Sequence, residues 1–355
     1  MKAATLVLFG VLALTLGFSK ARPYGYSDWL MEPKTRGGFP NWVLLPSTAQ
    51  ATAHKRFIWA PLQQRMRPWQ QQHAVHVAVS VAEVRAKLSP LLNPFVVFGD
   101  SISDDGINYD NYGDNMGVYA FTNGPTWDQY LNTLVYPDGG AKRLNIAIAG
   151  ATSAITGTFT PEWGGLSYQL DKFFGNESLV NYYKDAQYVV EIGGNDVIFE
   201  VQAKKQLTGK SMKETADTLC ANVLAAVDRI KRRINNGKKV IVFNVMRLEE
   251  SPAMSSSPVA VGRATALRRR ANAVLEAAVS GRDDIVFVDV GGREITDYTQ
   301  PFFRIEHKGV NADKKEHNIP DGSMTKYRYY DSVHPSTKIH HVMSRVVACA
   351  YYHQL

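Results

Sequence analysis

The sequence predicts an α/β fold, a mostly parallel five-stranded sheet with helices on both faces. Three observations carry this. Five short apolar runs, Phe95–Phe98, Leu144–Ile148, Tyr188–Ile192, Val240–Val245 and Ile285–Val288, have the continuous character of strands buried on both faces. Segments with helical spacing lie between them, the order expected of a parallel sheet. Small and polar residues gather just after the runs, where sheets of this kind bind ligands.

Residues 1–21 read as a secretory signal peptide. Lys2 gives a positive start, Ala3 to Phe18 is apolar, and Ser19-Lys20-Ala21 offers small residues for cleavage. The apolar run is 16 residues, short of the roughly 20 that span a bilayer. Export to the extracellular space is expected, with a mature chain beginning near Arg22. Residues 22–90 form a basic, largely irregular leader with seven prolines, the run Gln70-Gln71-Gln72 and a short amphipathic helix near Val79–Leu88. Residues 91–355 are the predicted α/β domain.

The charge follows this division. The whole chain carries a formal +7. Residues 22–90 hold nine basic side chains against three acidic ones, whereas residues 91–355 hold 29 basic and 30 acidic. The excess thus lies before the domain. It suits peripheral contact of the leader with an anionic surface, or simple solvation. A near-neutral domain is a poor tracker of phosphate backbones, so nucleic acid is not an expected partner. Lys231-Arg232-Arg233 and Arg268-Arg269-Arg270 are expected on solvated helix faces, and His340-His341 near the surface of the last helix.

Within the domain, Met212, Ala216, Leu219, Val223, Val227, Ile230 and Ile234 recur at steps of three and four, one face of a helix that Asn236-Gly237 should stop. Ala264, Leu267, Ala271, Val274 and Ala278 repeat the pattern before the fifth strand, and residues 337–352 read as a final helix. Cys220 and Cys349 are compatible with one long-range disulfide in an oxidising compartment or with two buried thiols. Asn176-Glu177-Ser178 is an acceptor sequence for a glycan if the chain passes a eukaryotic secretory route.

The polar residues after the strands carry the chemistry. Gly99-Asp100-Ser101 follows the first, Gly150-Ala151-Thr152 the second and Gly193-Gly194-Asn195-Asp196 the third, with Asp331-Ser332-Val333-His334 near the end. Taken singly, Ser101 reads as a helix cap, Gly150 as a turn glycine and Asn195-Asp196 as turn chemistry. Taken together they supply what acyl transfer needs: a nucleophile (Ser101), a base (His334), a carboxylate to orient it (Asp331), and oxyanion donors from the main-chain N–H groups of Ser101 and Gly150 and the side-chain amide of Asn195.

These blocks resemble the GDSL lipase/esterase family, the SGNH hydrolases. Phe98-Gly99-Asp100-Ser101-Ile102-Ser103-Asp104 matches its first block, with isoleucine in place of leucine. Asn123-Gly124-Pro125-Thr126-Trp127 looks like its Asn-Gly-Pro-x-Trp element. Asn145-Ile146-Ala147-Ile148-Ala149-Gly150-Ala151, Gly193-Gly194-Asn195-Asp196 and Asp331-Ser332-Val333-His334-Pro335 match the later blocks. The resemblance covers about Phe95 to Tyr352. It implies a three-layer α/β/α sandwich of flavodoxin-like type, an acyl-enzyme on Ser101, no metal or organic cofactor, and an ester of a lipid or an acylated carbohydrate as substrate. The expected state is a monomer. Asp105 and the long polar loop Ile107–Gly117 depart from the family pattern and bear on substrate choice. Tyr109, Tyr112, Met116, Tyr119 and Phe121 are candidate acyl-pocket residues or packing.

Other hydrolases are disfavoured. The chain has no Gly-x-Ser-x-Gly and no His-Glu-x-x-His. Transfer of the acyl group to an alcohol, and a catalytically vestigial secreted interaction protein, stand as the alternatives to hydrolysis.

Overall fold

The computed structural model describes residues 81–92, 94–106, 120–136, 143–158, 164–203, 208–255, 257–291 and 328–354. The signal peptide, most of the leader and the candidates at 109–119 lie outside these residues.

Five strands, β1 (Phe95–Gly99), β2 (Arg143–Asn145), β3 (Gln187–Glu191), β4 (Val240–Phe243) and β5 (Ile285–Val288), form one sheet in the order β2-β1-β3-β4-β5. Every pairing is parallel. The predicted fold class is observed, and the order is the flavodoxin-like one, whose reversal of direction falls between β1 and β3.

Alternate side chains leave the two faces of the sheet. Val96, Phe98, Leu144, Tyr188, Val190, Val240 and Val242 enter one core with helices α3 (Leu166–Gly175), α5 (Gly194–Ala203), α6 (Gly209–Ile234) and α8 (Pro258–Val279). Phe95, Val97, Val189, Ile241, Phe243, Val286 and Val288 enter the other with α1 (Val81–Leu88), α2 (Trp127–Val135) and α9 (Thr337–Gln354). The period of two along each strand is what separates the layers. Short helices α4 (Glu177–Tyr182) and α7 (Pro252–Ser255) complete the described elements. Within α1, Val84 and Leu88 are buried in the second core and Lys87 donates to the Tyr352 carbonyl at 2.8 Å, so this helix is part of the packed body.

The boundaries differ from expectation where local hydrogen bonding wins. The β2 ladder ends at Asn145, although Ile146 and Ile148 N–H still donate to the β1 carbonyls of Val97 and Gly99. Helix α6 starts at a Thr208 cap that accepts from Ser211 N–H and ends one residue early, at Asn235 in the left-handed region (φ 44°).

Two side-chain expectations are corrected, and the alternatives for the cysteines are decided. Arg268 is buried, its guanidinium forked onto Glu249 at 2.9 and 2.5 Å, while Arg269 and Arg270 are exposed as expected. His340 is buried rather than superficial; its Nδ1 accepts from Trp127 N–H at 3.2 Å, and burial pushes it down to about 3, so it stays neutral. Cys220 and Cys349 are free thiols on helices that cover opposite faces of the sheet, which excludes a bridge between them. Among the described residues no helix is long and apolar enough to cross a membrane.

Candidate active site

Strands β1 and β3 end side by side, and their following turns build the site. Gly99 closes β1 opposite Glu191. A Cβ on Gly99 would lie 2.5 Å from the Glu191 carbonyl, so only glycine allows this approach. The Gln169 side chain of α3 clasps the same residue, accepting from Gly99 N–H at 3.0 Å and donating to its carbonyl at 2.8 Å. The chain then turns. Ser103 and Asp104 N–H groups donate to the Asp100 carbonyl, and Asp100 Oδ1 accepts from Ile102 N–H at 3.0 Å. Ser101 stands at the head of this turn.

His334 Nε2 lies 2.8 Å from Ser101 Oγ, and Nδ1 lies 2.6 Å from Asp331 Oδ2. The other oxygen of Asp331 accepts from Val333 and His334 N–H at 2.8 and 2.7 Å. Burial alone would raise the Asp331 carboxyl. The hydrogen bond and charge of His334 and the two main-chain donors outweigh it and leave Asp331 below the ordinary carboxylate value. An ionised carboxylate only accepts, so Nδ1 carries the ring proton and Nε2 is free to take the one on Ser101.

The loop of Asp331 and His334 is held from several sides. Tyr330 N–H donates to the His334 carbonyl, Ser336 N–H to that of Arg328, and Ala253 N–H to that of Ser332. Arg328 pairs with Glu250, which Arg247 also binds. The Asn-Gly-Pro-x-Trp element docks the start of α9: Asn123 Oδ1 accepts from Thr337 N–H at 3.0 Å, and Thr337 Oγ1 donates to the Pro125 carbonyl at 3.0 Å. Phe121 lies against the His334 ring, centroids 4.6 Å apart. Of the aromatic candidates in this stretch, Phe121 is described, and it meets the base.

The three predicted oxyanion donors come to the same edge of the sheet. Gly150 holds φ 79°, a left-handed conformation open to glycine. Among the described residues, neither Gly150 N–H nor Ser101 N–H has a hydrogen-bond partner. Asn195 begins α5 and donates one amide hydrogen to the Ala151 carbonyl at 2.9 Å, which leaves the second. Asp196 locks the two segments together, accepting from Ser153 N–H at 2.9 Å and from Ser153 Oγ at 2.7 Å, while Asn222 of α6 donates to Ser153 Oγ. Asn195→Ala is expected to lower kcat by about 10²–10³ with little change in KM, because an oxyanion donor acts on the transition state. Steady-state kinetics on a soluble ester measures it.

Sequence reasoning missed the supports. Gln169, Ser153, Asn222 and Glu191 brace the site without belonging to a block. Glu191 carried one legible signal, an acid within an apolar run. The family departure at Asp105 is explained by Arg143, which pairs with both Asp105 and Asp128. Among the described residues no three His, Cys, Asp or Glu side chains are grouped to hold a metal ion.

A parallel α/β sheet with a serine, histidine and aspartate in line at its carboxyl edge defines a hydrolase acting on ester bonds. The family model for GDSL-like lipase/acylhydrolase matches residues 95–347, and the chain belongs to that family. No curated protein sequence matches it. Similar solved structures include LAE5, an alpha/beta hydrolase enzyme from the metagenome of Lake Arreo, at 15% identity and TM-score 0.41 over 75% of this chain and 97% of that one. The acetylxylan esterase Axe2 from Geobacillus stearothermophilus is similar at 18% identity and TM-score 0.41, over 73% and 94%. A GDSL-like lipase from Parabacteroides merdae, named as putative in its own description, has 16% identity and TM-score 0.40, over 74% and 98%.

Proposed function

We propose that the protein is a secreted serine ester hydrolase that cleaves carboxylic esters of lipids or acylated carbohydrates through an acyl-enzyme on Ser101. The observation that carries this reading is the in-line contact of Ser101 Oγ, His334 and Asp331, at 2.8 and 2.6 Å. In the first half-reaction His334 Nε2 takes the Ser101 proton as Oγ attacks the ester carbonyl, and Asp331 stabilises the imidazolium. The negative charge that forms on the carbonyl oxygen falls to the donors of Ser101, Gly150 and Asn195. His334 then returns its proton to the leaving alcohol. Water repeats the sequence on the acyl-enzyme, with His334 again as base.

The rim favours a lipid acyl group. Phe199 is 55% exposed one helical turn after Asn195, and Ile155 is 49% exposed in the loop after Gly150. An exposed apolar side chain thus rises from two of the three segments bearing an oxyanion donor, on the same helix face in the case of Phe199. Phe199→Ser is expected to lower kcat/KM for long-chain esters by roughly tenfold, from lost apolar burial, and to leave acetyl esters unchanged. A chain-length series on both proteins measures this; equal effects on acetyl and long-chain esters would remove Phe199 from the acyl path.

Labelling with a fluorophosphonate tests the central claim. The folded protein should react at Ser101, and an unreactive folded protein overturns the reading. The export part rests on residues 1–21 and includes a glycan on Asn176. That residue is exposed at the start of α4, where it caps through Oδ1 and leaves Nδ2, the glycan-bearing atom, unused by the cap. The N-terminal sequence and mass of the chain recovered from a eukaryotic secretory host check it.

A further inference from the structure

A second carboxyl lies beneath the nucleophile turn, and the steps above do not use it. Glu191 ends β3 and is 7% exposed. Its Oε2 accepts from Ser103 Oγ at 2.8 Å, and Ser103 Oγ accepts in turn from Trp127 Nε1 at 2.9 Å. The Glu191 main chain pairs with Gly99, on the other side of Ser101. One residue therefore meets the chain on both sides of Ser101, and its side chain holds Ser103. Trp127 is fully buried, so the far end of this chain of hydrogen bonds is fixed as well.

Among the described residues, the groups that face this carboxyl include no cation. Asp100 of the turn and Asp128 of α2 face it, and Asp100 itself faces Asp196 and His334. Arg143, the nearby guanidinium, is held by Asp105 and Asp128. Among the described residues no lysine or arginine forms an ion pair with Glu191 or Asp100. A buried carboxylate without a counter-ion is costly, and such a group keeps its proton.

Resting on the hydrolase reading above, we propose that Glu191 is a positioning residue that works as an uncharged acid: while protonated it fixes the turn that presents Ser101, and its ionisation at alkaline pH releases that turn and lowers activity. Burial pushes Glu191 well above the ordinary carboxylate range, and the charge of Asp100 adds to this, against the opposing donors. Asp100 is likewise pushed up, to about 7, chiefly by burial. Once ionised, Glu191 gains by moving toward water. The Ser103 donor then loses its anchor, and a shift of about 1 Å in a reacting atom costs about 100-fold in rate.

The pH dependence of kcat/KM for wild type, Glu191→Gln and Ser103→Ala tests this, with fluorophosphonate labelling as a parallel readout. The wild type should show an alkaline limb. Glu191→Gln, uncharged at every pH, should behave as wild type on the acid side and lose the alkaline limb. Two pH units above the wild-type midpoint, the wild type has lost about 100-fold and the variant keeps its plateau rate. Ser103→Ala removes a donor that favours the ionised form, so its alkaline limb should move to higher pH.

Stability gives a second readout. The folded protein keeps this proton at pH values where the unfolded chain has lost it. Wild type therefore loses stability as pH rises above the ordinary carboxylate range, and the Tm advantage of Glu191→Gln should grow with pH. An identical alkaline limb in all three proteins overturns the proposal, as does a wild type with no such limb. If Glu191→Gln does not fold, Ser103→Ala alone decides by the direction of its shift. Absence of labelling in the wild type at every pH overturns the hydrolase reading instead.

Discussion

Ser101→Ala is expected to lower kcat on a soluble ester by on the order of 10⁴–10⁶ while leaving KM nearly unchanged. The substitution removes the atom proposed to form the acyl bond and leaves the binding surface in place. Ser101 is almost fully buried at the head of a turn held by main-chain hydrogen bonds, so loss of one hydroxyl should not disturb the fold. His334→Ala should cost about as much, and the double variant little more than either, because nucleophile and base act as one unit. The residual rate is what the oxyanion donors supply. Ester hydrolysis measured under saturating substrate reads both claims. A rate near that of the wild type in Ser101→Ala would place the nucleophile elsewhere.

Asp331→Asn is expected to cost about 10⁴ in kcat with the fold intact. The reason lies in how the carboxyl is used. Oδ1 accepts from two main-chain donors, Val333 and His334 N–H, and Oδ2 from His334 Nδ1. An asparagine has one acceptor oxygen, and two N–H groups hold it on the main-chain side. Its NH₂ then faces Nδ1, which must become the acceptor. The ring proton moves to Nε2, where it points at Ser101 Oγ, and the imidazole no longer accepts the serine proton. Loss of the negative charge also withdraws the stabilisation of the imidazolium. Kinetics with circular dichroism separates the two explanations of a loss: the variant should keep the wild-type spectrum. An Asp331→Asn enzyme within tenfold of wild type would show that the orientation of His334 is set elsewhere, for example by Phe121.

The two expectations draw on different kinds of legibility. The strands were readable because a parallel sheet buried on both faces demands uninterrupted apolar runs, and Phe95–Phe98 or Val240–Phe243 have no other comfortable place. The candidate catalytic residues were readable because each sits in a short block whose geometry is local. Asp331 reaches His334 across three residues, and Gly150 takes a conformation that glycine tolerates. Arg268 and His340 were misjudged because helical spacing tells which residues share a face and not what lies opposite. Glu249 in the turn after β4 makes burial of Arg268 tolerable, and Trp127 N–H does the same for His340.

By itself, then, the sequence determined the α/β class and the apolar runs that become strands, and it singled out Ser101, His334, Asp331, Gly150 and Asn195 as one candidate set. Those features depend on interactions within a few residues or on burial of whole apolar runs. The tertiary structure decided everything that depends on distant segments meeting. It set the strand order, which brings the ends of β1 and β3 together, and it placed Cys220 and Cys349 on opposite faces. It also put Glu191 beneath Ser101, 90 residues away in the chain, with no ion pair to a lysine or arginine among the described residues. A carboxyl's charge is fixed by what surrounds it in space, and no local pattern in the sequence records those surroundings.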